Sequence, residues 1–488
     1  MMCAGGHGRE RSGLYSLMLG VFAAALAVIA GCAMGPEYRK PETEVPAAYK
    51  ETANWKLAQP QEAIVRGEWW KIFQDPRLDA LEEQVELSNQ NIAAAEARYR
   101  QAVTVVQAAR TGYFPTITAD AHASRSLRSS NAPGVSARSN SPYSDYLLSG
   151  TASWEPDLWG RVRSNVESGQ AGAQASAADL ESIRLSVHAL LAQSYFQLCA
   201  LDAQRTLLDA TAAAYRKSLE MTENRYANGV SSRADVLKAE TQLKSTQAQA
   251  IDLGVQRSQL ENAIAVIIGR PPSLFIMPAI PLSSHTPAIP AGIPSEILER
   301  RPDIAAAERR VAAANAQIGV ARAAYFPDII LGATGGYGSS SISNWLSWPS
   351  RLWSVGLSLS QTLFDAGLRS ALTDQARAVY DTTVASYRQA VLIGFQEVED
   401  NLAALRILEE ESRVQDEAVR AARRSLELSM NQYKAGMISY LEVVIVQAIL
   451  LANERTAVDI MGRRMIASVL LIKATGGGWD ASTLPSGI

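Results

Sequence analysis

The strongest constraint on this chain is a twelve-residue pattern that occurs twice, at 225–236 and, 207 positions later, at 432–443. Each copy interrupts a long stretch of helix-favouring residues. Each has a glycine where a helix would end, Gly229 and Gly436, then a serine and an acid at spacings typical of a new helix start. Each copy therefore predicts a helical reversal, called a tip below, at the end of a long hairpin. The predicted capping boxes pair Ser232 with Asp235 and Ser439 with Glu442.

The order of segments is the same in both halves of the chain. Segment 303–308 matches 91–96, and the Tyr-Phe-Pro at 325–327 matches that at 113–115, both 212 positions apart. Each half is predicted to contain a helix, two strands, a long helix, a tip and a helix, which indicates an internal duplication. The predicted helix-to-strand junctions are Phe114, Pro115, Phe326 and Pro327. The predicted repeats are 76–272, with strands at about 115–155, and 295–478, with strands at about 328–364.

The predicted strands have one apolar and one polar face. The clearest alternates apolar residues from Trp353 to Leu363 with serine and glycine. Such a pattern is typical of a wall between lipid and a water-filled lumen. Strand edges cannot stay open in hydrocarbon, and about eight strands are the practical minimum for closure. We therefore expect the chain to pool its strands with copies of itself, since two copies give about eight strands and three give about twelve and a pore. The alternative is a soluble sheet packed on the helices.

The helix that leads from Ser164 to the first tip has about 64 residues and would be about 95 Å long. No compact domain contains a helix of that length, so a coiled-coil-like strut is predicted. The two shorter helices of each half are expected to stack end to end beside it. A mixed, mostly α fold follows, in which long helices continue into a sheet shared between chains.

The N-terminal segment 1–31 has the features of a lipoprotein signal peptide. Arg9 and Arg11 precede an apolar stretch, which ends in Ile-Ala-Gly before Cys32 and resembles the bacterial lipobox. We expect cleavage before Cys32 and its modification by N-palmitoyl and S-diacylglycerol groups. The alternative is a membrane anchor with a chance cysteine. The remaining predicted segments are an extended arm at 32–75, a proline-rich linker at 273–294 and a tail at 479–488.

Several motifs together resemble the outer membrane efflux protein family, that is, the TolC-like outer membrane factors, in the lipoprotein branch of resistance-nodulation-division efflux systems. They are the lipobox, Gly-Pro-Glu-Tyr at 35–38, Trp69-Trp70, both junctions, both tips and Gly-Gly-Gly-Trp at 476–479. The resemblance implies a homotrimer with a transmembrane β-barrel in the outer membrane and an α-helical barrel across the periplasm. It implies a passive exit duct for drugs or other toxic compounds, working with a periplasmic adaptor and an inner-membrane pump. A duct for type I protein secretion is the alternative.

In this family the tips form the closed periplasmic end of the channel. The resemblance carries the tip motif onto Tyr226 and Gly229 in the first copy and onto Tyr433 and Gly436 in the second. It makes Asp235 a candidate to bond Tyr433 across the tips, and Glu442 the equivalent acid. Helix capping alone is the competing interpretation.

The second tip also departs from the family pattern. Ile445 stands where many members carry a second acid, and Ile438 stands where an arginine is common. Leu441 and Ile445 are therefore predicted to form an apolar plug. Carboxylates from three chains facing one axis would favour cations in the closed pore, and an apolar plug weakens this expectation.

Other function classes have little support in the sequence. The formal net charge of −3 does not favour nucleic acid as a partner. The four histidines are scattered without metal-ligand spacing, so no metal, no other cofactor and no enzymatic activity are predicted. Cys199 lies between apolar neighbours and is expected to be a buried structural thiol. No apolar run after residue 31 is long enough for a transmembrane helix.

Overall fold

The computed structural model describes residues 35–50, 67–129, 141–282, 287 and 297–486. The predicted signal peptide and Cys32 lie outside these residues, as do parts of the predicted arm, linker and tail. Among the helices in the described ranges, none combines the length and apolar character needed to cross a membrane.

Both halves of the chain have the order helix, strand, strand, long helix, tip, helix. In the first half these elements are α1 (Pro76–Ser88), α2 (Gln90–Arg110), β1 (Thr116–Ser126), β2 (Tyr143–Trp154), α3 (Arg161–Ala227) and α4 (Arg233–Ile267). In the second half they are α5 (Pro302–Ala323), β3 (Asp328–Ser339), β4 (Arg351–Ser360), α6 (Leu368–Lys434) and α7 (Tyr440–Ala474). Helices α3 and α6 each have 67 residues, which corresponds to about 100 Å. The strut-like helix predicted from the sequence is present in both halves.

The first half differs from the prediction of one helix before its strands, because this helical segment is divided at Asn89 into α1 and α2. The Asn89 Oδ1 accepts hydrogen bonds from the backbone N–H groups of Asn91 (2.9 Å) and Ile92 (3.1 Å), which begins α2. Its Nδ2 donates to the carbonyl of Ile267 at 2.7 Å, at the end of α4. One buried side chain thus caps two helix ends, and α4 and α2 meet end to end.

The second half has the equivalent joint between α7 and α5. Arg301 is buried, and its Nη1 donates to the carbonyl of Ala474 at 3.1 Å and to the carboxylate of Glu397 at 2.6 Å. Gly476 lies at this joint, and a Cβ added there would be 2.0 Å from the carbonyl oxygen of Arg300. The expected end-to-end stacking of the shorter helices is therefore present in both halves.

The four strands form one antiparallel sheet in the order β1-β2-β3-β4. Residues that pair directly across strands share a face of the sheet. One apolar row contains Ile117, Ala152, Ala333 and Val355, and the adjacent polar row contains Thr118, Thr151, Thr334 and Ser354. Leu363, which the alternation assigned to the fourth strand, lies beyond its end at Ser360 because the chain leaves the sheet there.

The main hydrophobic core lies beside the middle of the long helices, where Trp69, Trp70 and Phe73 pack against α3. Arm residues 35–50 lie on the helices. The Asn315 Nδ2 donates to the carbonyl of Pro36 at 2.8 Å, and the Lys50 N–H donates to Glu399 at 2.7 Å. Cys199 is buried as predicted, and its burial raises the pKa of the thiol to about 12.

Candidate functional site at the helical tips

Both tips end their long helix in the same way. At the first tip the Val230 N–H donates to the carbonyl of Arg225 at 2.8 Å, and Gly229 has a φ of +71°. At the second tip Met437 donates in the equivalent way at 2.9 Å, and Gly436 has a φ of +75°. This is the Schellman motif, in which a left-handed glycine satisfies the last helical carbonyls. The predicted helix ends at Gly229 and Gly436 are therefore confirmed.

The two tips differ in how the next helix begins. The Ser232 Oγ accepts from the Asp235 N–H at 3.2 Å, and the Ser232 N–H donates to the Asp235 carboxylate at 3.3 Å, so the first capping box is present. Ser439 makes no side-chain capping bond, so the box predicted with Glu442 is wrong. The start of α7 is instead fixed by packing, since Tyr440 is only 2% exposed. Glu442 stays in the first helical turn, where the helix dipole favours a carboxylate.

Tyr433 is the centre of the contact between the two tips. It is 3% exposed, and its ring lies 5.3 Å from that of Tyr440. Two residues of the first tip contact it: the Arg225 guanidinium lies 4.7 Å from the ring centroid, and the Ser231 Oγ lies 3.4 Å from the hydroxyl. The Arg225 Nη1 also donates to the carbonyl of Lys434 at 3.4 Å. The tips of one chain are therefore joined to each other.

Asp235 has partners within its own helix start. Besides the bonds to Ser232, its Oδ1 lies 3.6 Å from the Lys238 Nζ. Tyr433 has Ser231 as its hydroxyl partner, and among the described residues no hydrogen bond joins Asp235 to Tyr433 within one chain. The capping role of Asp235 is observed, whereas a bond from Asp235 to Tyr433 of another chain stays a prediction.

The predicted apolar plug lies on an exposed surface of the single chain. Leu441 and Ile445 are 45% and 44% exposed, and their spacing of four residues places them on one face of α7. Tyr226 is 44% exposed on the first tip. Exposed apolar groups at the end of a helical hairpin suit contact with further copies of the chain, and their role in closing a pore stays a prediction.

The helix-to-strand junctions are fixed by two tryptophans. The Trp154 Nε1 donates to the carbonyl of Tyr113 at 3.1 Å, and the Trp159 Nε1 donates to that of Pro327 at 2.7 Å. The Trp159 ring also stacks on Phe326 with a centroid distance of 4.9 Å. Phe114, next to the first junction, is 69% exposed beside Pro115. Sequence reasoning missed Trp159, because its partner lies 168 positions away.

A buried ionic cluster beside the main core was also missed. The His188 Nδ1 lies 2.7 Å from Glu82 and its Nε2 lies 3.4 Å from Glu86, while the ring stacks on Trp70 at 4.6 Å. Burial opposes the charged imidazole, but the hydrogen bonds to both carboxylates outweigh it and raise the pKa of His188. The cluster borders a cavity of about 1030 Å³ between α1, α3 and the residues after α7. Among the described residues, no group of three or more acids, histidines and cysteines has a metal-binding arrangement.

Comparison with known proteins identifies similar chains. The model of the family described as outer membrane efflux protein matches residues 81–270 and 293–477. The pyoverdine export outer membrane protein OpmQ of Pseudomonas aeruginosa is 32% identical over 418 residues, covering 85% of this chain and 88% of OpmQ. The cation efflux system protein CusC of Escherichia coli is 28% identical over 464 residues, covering 94% of this chain and 98% of CusC.

Solved structures show the same architecture. The outer-membrane channel OprN superposes with a TM-score of 0.86 at 30% identity, covering 92% of this chain and all of OprN. The open state of the Neisseria gonorrhoeae outer membrane channel MtrE superposes with a TM-score of 0.80 at 29% identity, covering 92% of this chain and 99% of MtrE.

Proposed function

Because the chain belongs to the outer membrane efflux protein family, we propose that it is the outer membrane exit duct of a tripartite efflux system. Three copies would form one passive channel, with a barrel in the outer membrane and a helical tunnel below it. A periplasmic adaptor would dock on the tips, and an inner-membrane pump of the resistance-nodulation-division type would supply the energy.

The observation that carries this proposal is the separation of the two faces of the sheet. On β4, Trp353, Val355 and Leu357 are 76%, 76% and 65% exposed in the single chain. Exposing one such side chain to water costs about 1.5–3 kcal/mol compared with burying it. A row of them on one face is stable where the surrounding medium is lipid.

The opposite face supplies the lining of a water-filled lumen. Thr118, Thr151, Thr334 and Ser354 form a continuous row across all four strands. The hydroxyls of Thr151 and Thr334 lie 3.3 Å apart. Hydroxyl groups solvate many solutes without binding one of them tightly, which suits a duct that does not select its cargo.

Closure of the sheet requires further copies of the chain. Strands β1 and β4 are the two edges of the four-stranded sheet. Their free N–H and C=O groups cannot remain unpaired in hydrocarbon. Pairing β4 of one chain with β1 of the next satisfies both edges, and three copies would give about twelve strands around an open lumen.

The cargo is proposed to be set by the pump rather than by the duct. Similar proteins bear names as different as pyoverdine export, toluene efflux and cation efflux. All three names refer to efflux of small molecules or ions, which favours efflux over type I protein secretion. We further propose that Cys32 carries the N-palmitoyl and S-diacylglycerol groups and anchors the arm in the outer membrane.

Native mass spectrometry of the detergent-purified mature protein, followed by single-channel recording in planar bilayers, tests the proposal. The expected result is a trimer whose subunits begin at Cys32 with added acyl mass and which conducts ions. A monomer without channel activity would exclude the shared barrel. Trimeric channels without acyl mass would exclude only the lipid anchor.

A further inference from the structure

The apolar face of the sheet carries charge at one end only. Within the four strands, this face contains Arg125 on β1 and Arg351 on β4, and its other residues are uncharged. The acids of the strands, Asp120, Asp145 and Asp328, all lie on the polar face. The charged side chains that the four strands place on the lipid-facing side are therefore all basic.

Both arginines lie at the end of the sheet that is farthest from the helices. Strand β1 runs away from α2 and reaches Arg125 one residue before its end. Strand β4 runs back toward α6 and begins at Arg351. With the barrel in the outer membrane and the helices in the periplasm, this end faces the outer leaflet.

Aromatic residues lie next to Arg351 on the same face. Tyr337 pairs directly with Arg351, and Trp353 is the next residue of β4 on this face. Tyrosine and tryptophan concentrate where a barrel passes from hydrocarbon to headgroups. Two residues along a strand span about 7 Å, so Arg351 lies level with Tyr337 and about 7 Å beyond Trp353, at the height of lipid headgroups.

The Arg351 guanidinium is positioned without being neutralised. It lies 3.7 Å from the centroid of the Trp348 ring, which is itself 71% exposed. The hydrogen bonds and ion pairs of the described residues include no partner for the side chain of Arg351 or Arg125. Stacking leaves the N–H edge of a guanidinium open, and this edge matches the oxygens of a phosphate.

We propose that Arg125 and Arg351 form a binding site for a phosphate group of an outer-leaflet glycolipid. The inference rests on the proposed membrane position of the barrel. Since β1 and β4 are the edges of the sheet, closure brings Arg351 of one chain and Arg125 of the next to the same subunit seam. A phosphorylated lipid at this seam would contact two chains and stabilise the trimer.

The test compares lipid binding by the full-length detergent-purified trimer and by the double variant R125Q/R351Q. Diphosphorylated lipid A is added, and bound lipid is counted by native mass spectrometry. The affinity is expected to fall about tenfold or more in the double variant, because two charge-assisted contacts are lost. Trp348→Leu is expected to weaken binding less, because it removes the stacking and keeps the charge.

Three controls separate this site from general charge attraction. Arg388→Gln removes an exposed arginine from α6 and is expected to leave lipid binding unchanged. Lipid A freed of its phosphates is expected to bind the trimer and the double variant equally. Inorganic phosphate is expected not to displace the bound lipid. Displacement of the lipid by inorganic phosphate would indicate a general anion site and overturn the lipid assignment.

Equal binding of diphosphorylated lipid A to both proteins, or an equal loss in Arg388→Gln, would overturn the site. Conductance in planar bilayers separates this failure from that of the proposed function. If the protein forms trimeric channels and the double variant binds lipid A as tightly as the unchanged protein, only the lipid site is overturned. If the protein forms no trimeric channel, the membrane position and the lipid site are both overturned.

Discussion

The guanidinium of Arg225, from the first tip, lies 4.7 Å from the ring centroid of Tyr433, from the second tip. The two residues are 208 positions apart in the sequence. This contact joins the two helical hairpins of one chain at the end that would face the pump. The tips of a subunit are therefore expected to move as one unit.

Replacing Arg225 tests this joint. Arg225→Gln removes the cation–π contact, which typically contributes about 0.5–2 kcal/mol, and weakens the bond to the carbonyl of Lys434. We expect a higher resting conductance in planar bilayers, because the two tips separate more easily. Gln432 occupies the equivalent position of the second copy, so Gln432→Ala is the matched control. Equal leak in both variants would show that Arg225 has no special part in closing the tips.

Three variants separate capping from gating at Asp235. Asp235→Ala removes a capping box and is expected to destabilise the start of α4 by about 1 kcal/mol. Glu442→Ala is the control at the other tip, where no box is present, and should affect helix stability less. Tyr433→Phe removes only a hydroxyl with a 3.4 Å contact to Ser231. Hydrogen exchange at the tips measures the capping effect.

Conductance then decides the gating question. If Asp235 bonds Tyr433 of a neighbouring chain, Asp235→Ala and Tyr433→Phe will both raise the resting conductance or antibiotic entry. If Asp235 only caps its helix, Tyr433→Phe will leave the leak unchanged. Unchanged leak in both variants would eliminate the inter-chain bond.

Replacement of glycine by alanine is expected to destabilise the protein to very different extents at Gly436 and Gly476. Gly436 has a φ of +75°, but an added Cβ would meet nothing within 4 Å. Gly436→Ala should therefore cost about 1–2 kcal/mol from backbone strain alone. Gly476→Ala would place the Cβ 2.0 Å from the carbonyl oxygen of Arg300, so the joint between α7 and α5 must open. Thermal unfolding of the trimer should show a much larger loss for Gly476→Ala, and similar losses would contradict the joint.

The His188 cluster predicts a stability that depends on pH. The hydrogen bonds to Glu82 and Glu86 outweigh burial and raise the pKa of His188 to about 9. A raised pKa means that the folded protein binds the proton more tightly than the unfolded chain. The stabilisation is fully present below the ordinary histidine pKa, about 6.5, and is lost as the pH rises through about 9. Burial also raises the pKa of Glu82. This carboxyl therefore adds a second loss of folding stability with rising pH, at lower pH than the loss from His188.

Urea unfolding from pH 6 to pH 10, followed by tryptophan fluorescence, measures this effect, because Trp70 stacks on the His188 ring. The free energy of unfolding is expected to fall by about 3 kcal/mol between about pH 6.5 and about pH 9. His188→Gln should be less stable at pH 6.5, by about 3 kcal/mol for a broken buried pair, and should lack the decrease toward pH 9. A decrease of equal size in the variant would assign the pH dependence to other groups.

Much of the fold could be predicted because the relevant patterns are local. The alternation that starts at Trp353 assigned both faces of β4, and the glycines at the tips placed the ends of the long helices. These features depend on residues within a few positions of one another, where backbone conformation and side-chain direction are set by neighbours. The capping box of Ser232 belongs to this class.

Other features were decided only by the tertiary structure. The break at Asn89 exists because its amide reaches the carbonyl of Ile267, 178 positions away. The second capping box is absent, and burial of Tyr440 against Tyr433 fixes the start of α7 instead. His188 looked like an isolated histidine until folding placed it between Glu82 and Glu86. The sequence alone therefore determined the elements, their faces and the duplication, because these are properties of short segments. The joints between elements and the ionic cluster depend on contacts between distant residues, which only the packing of the long helices brings together.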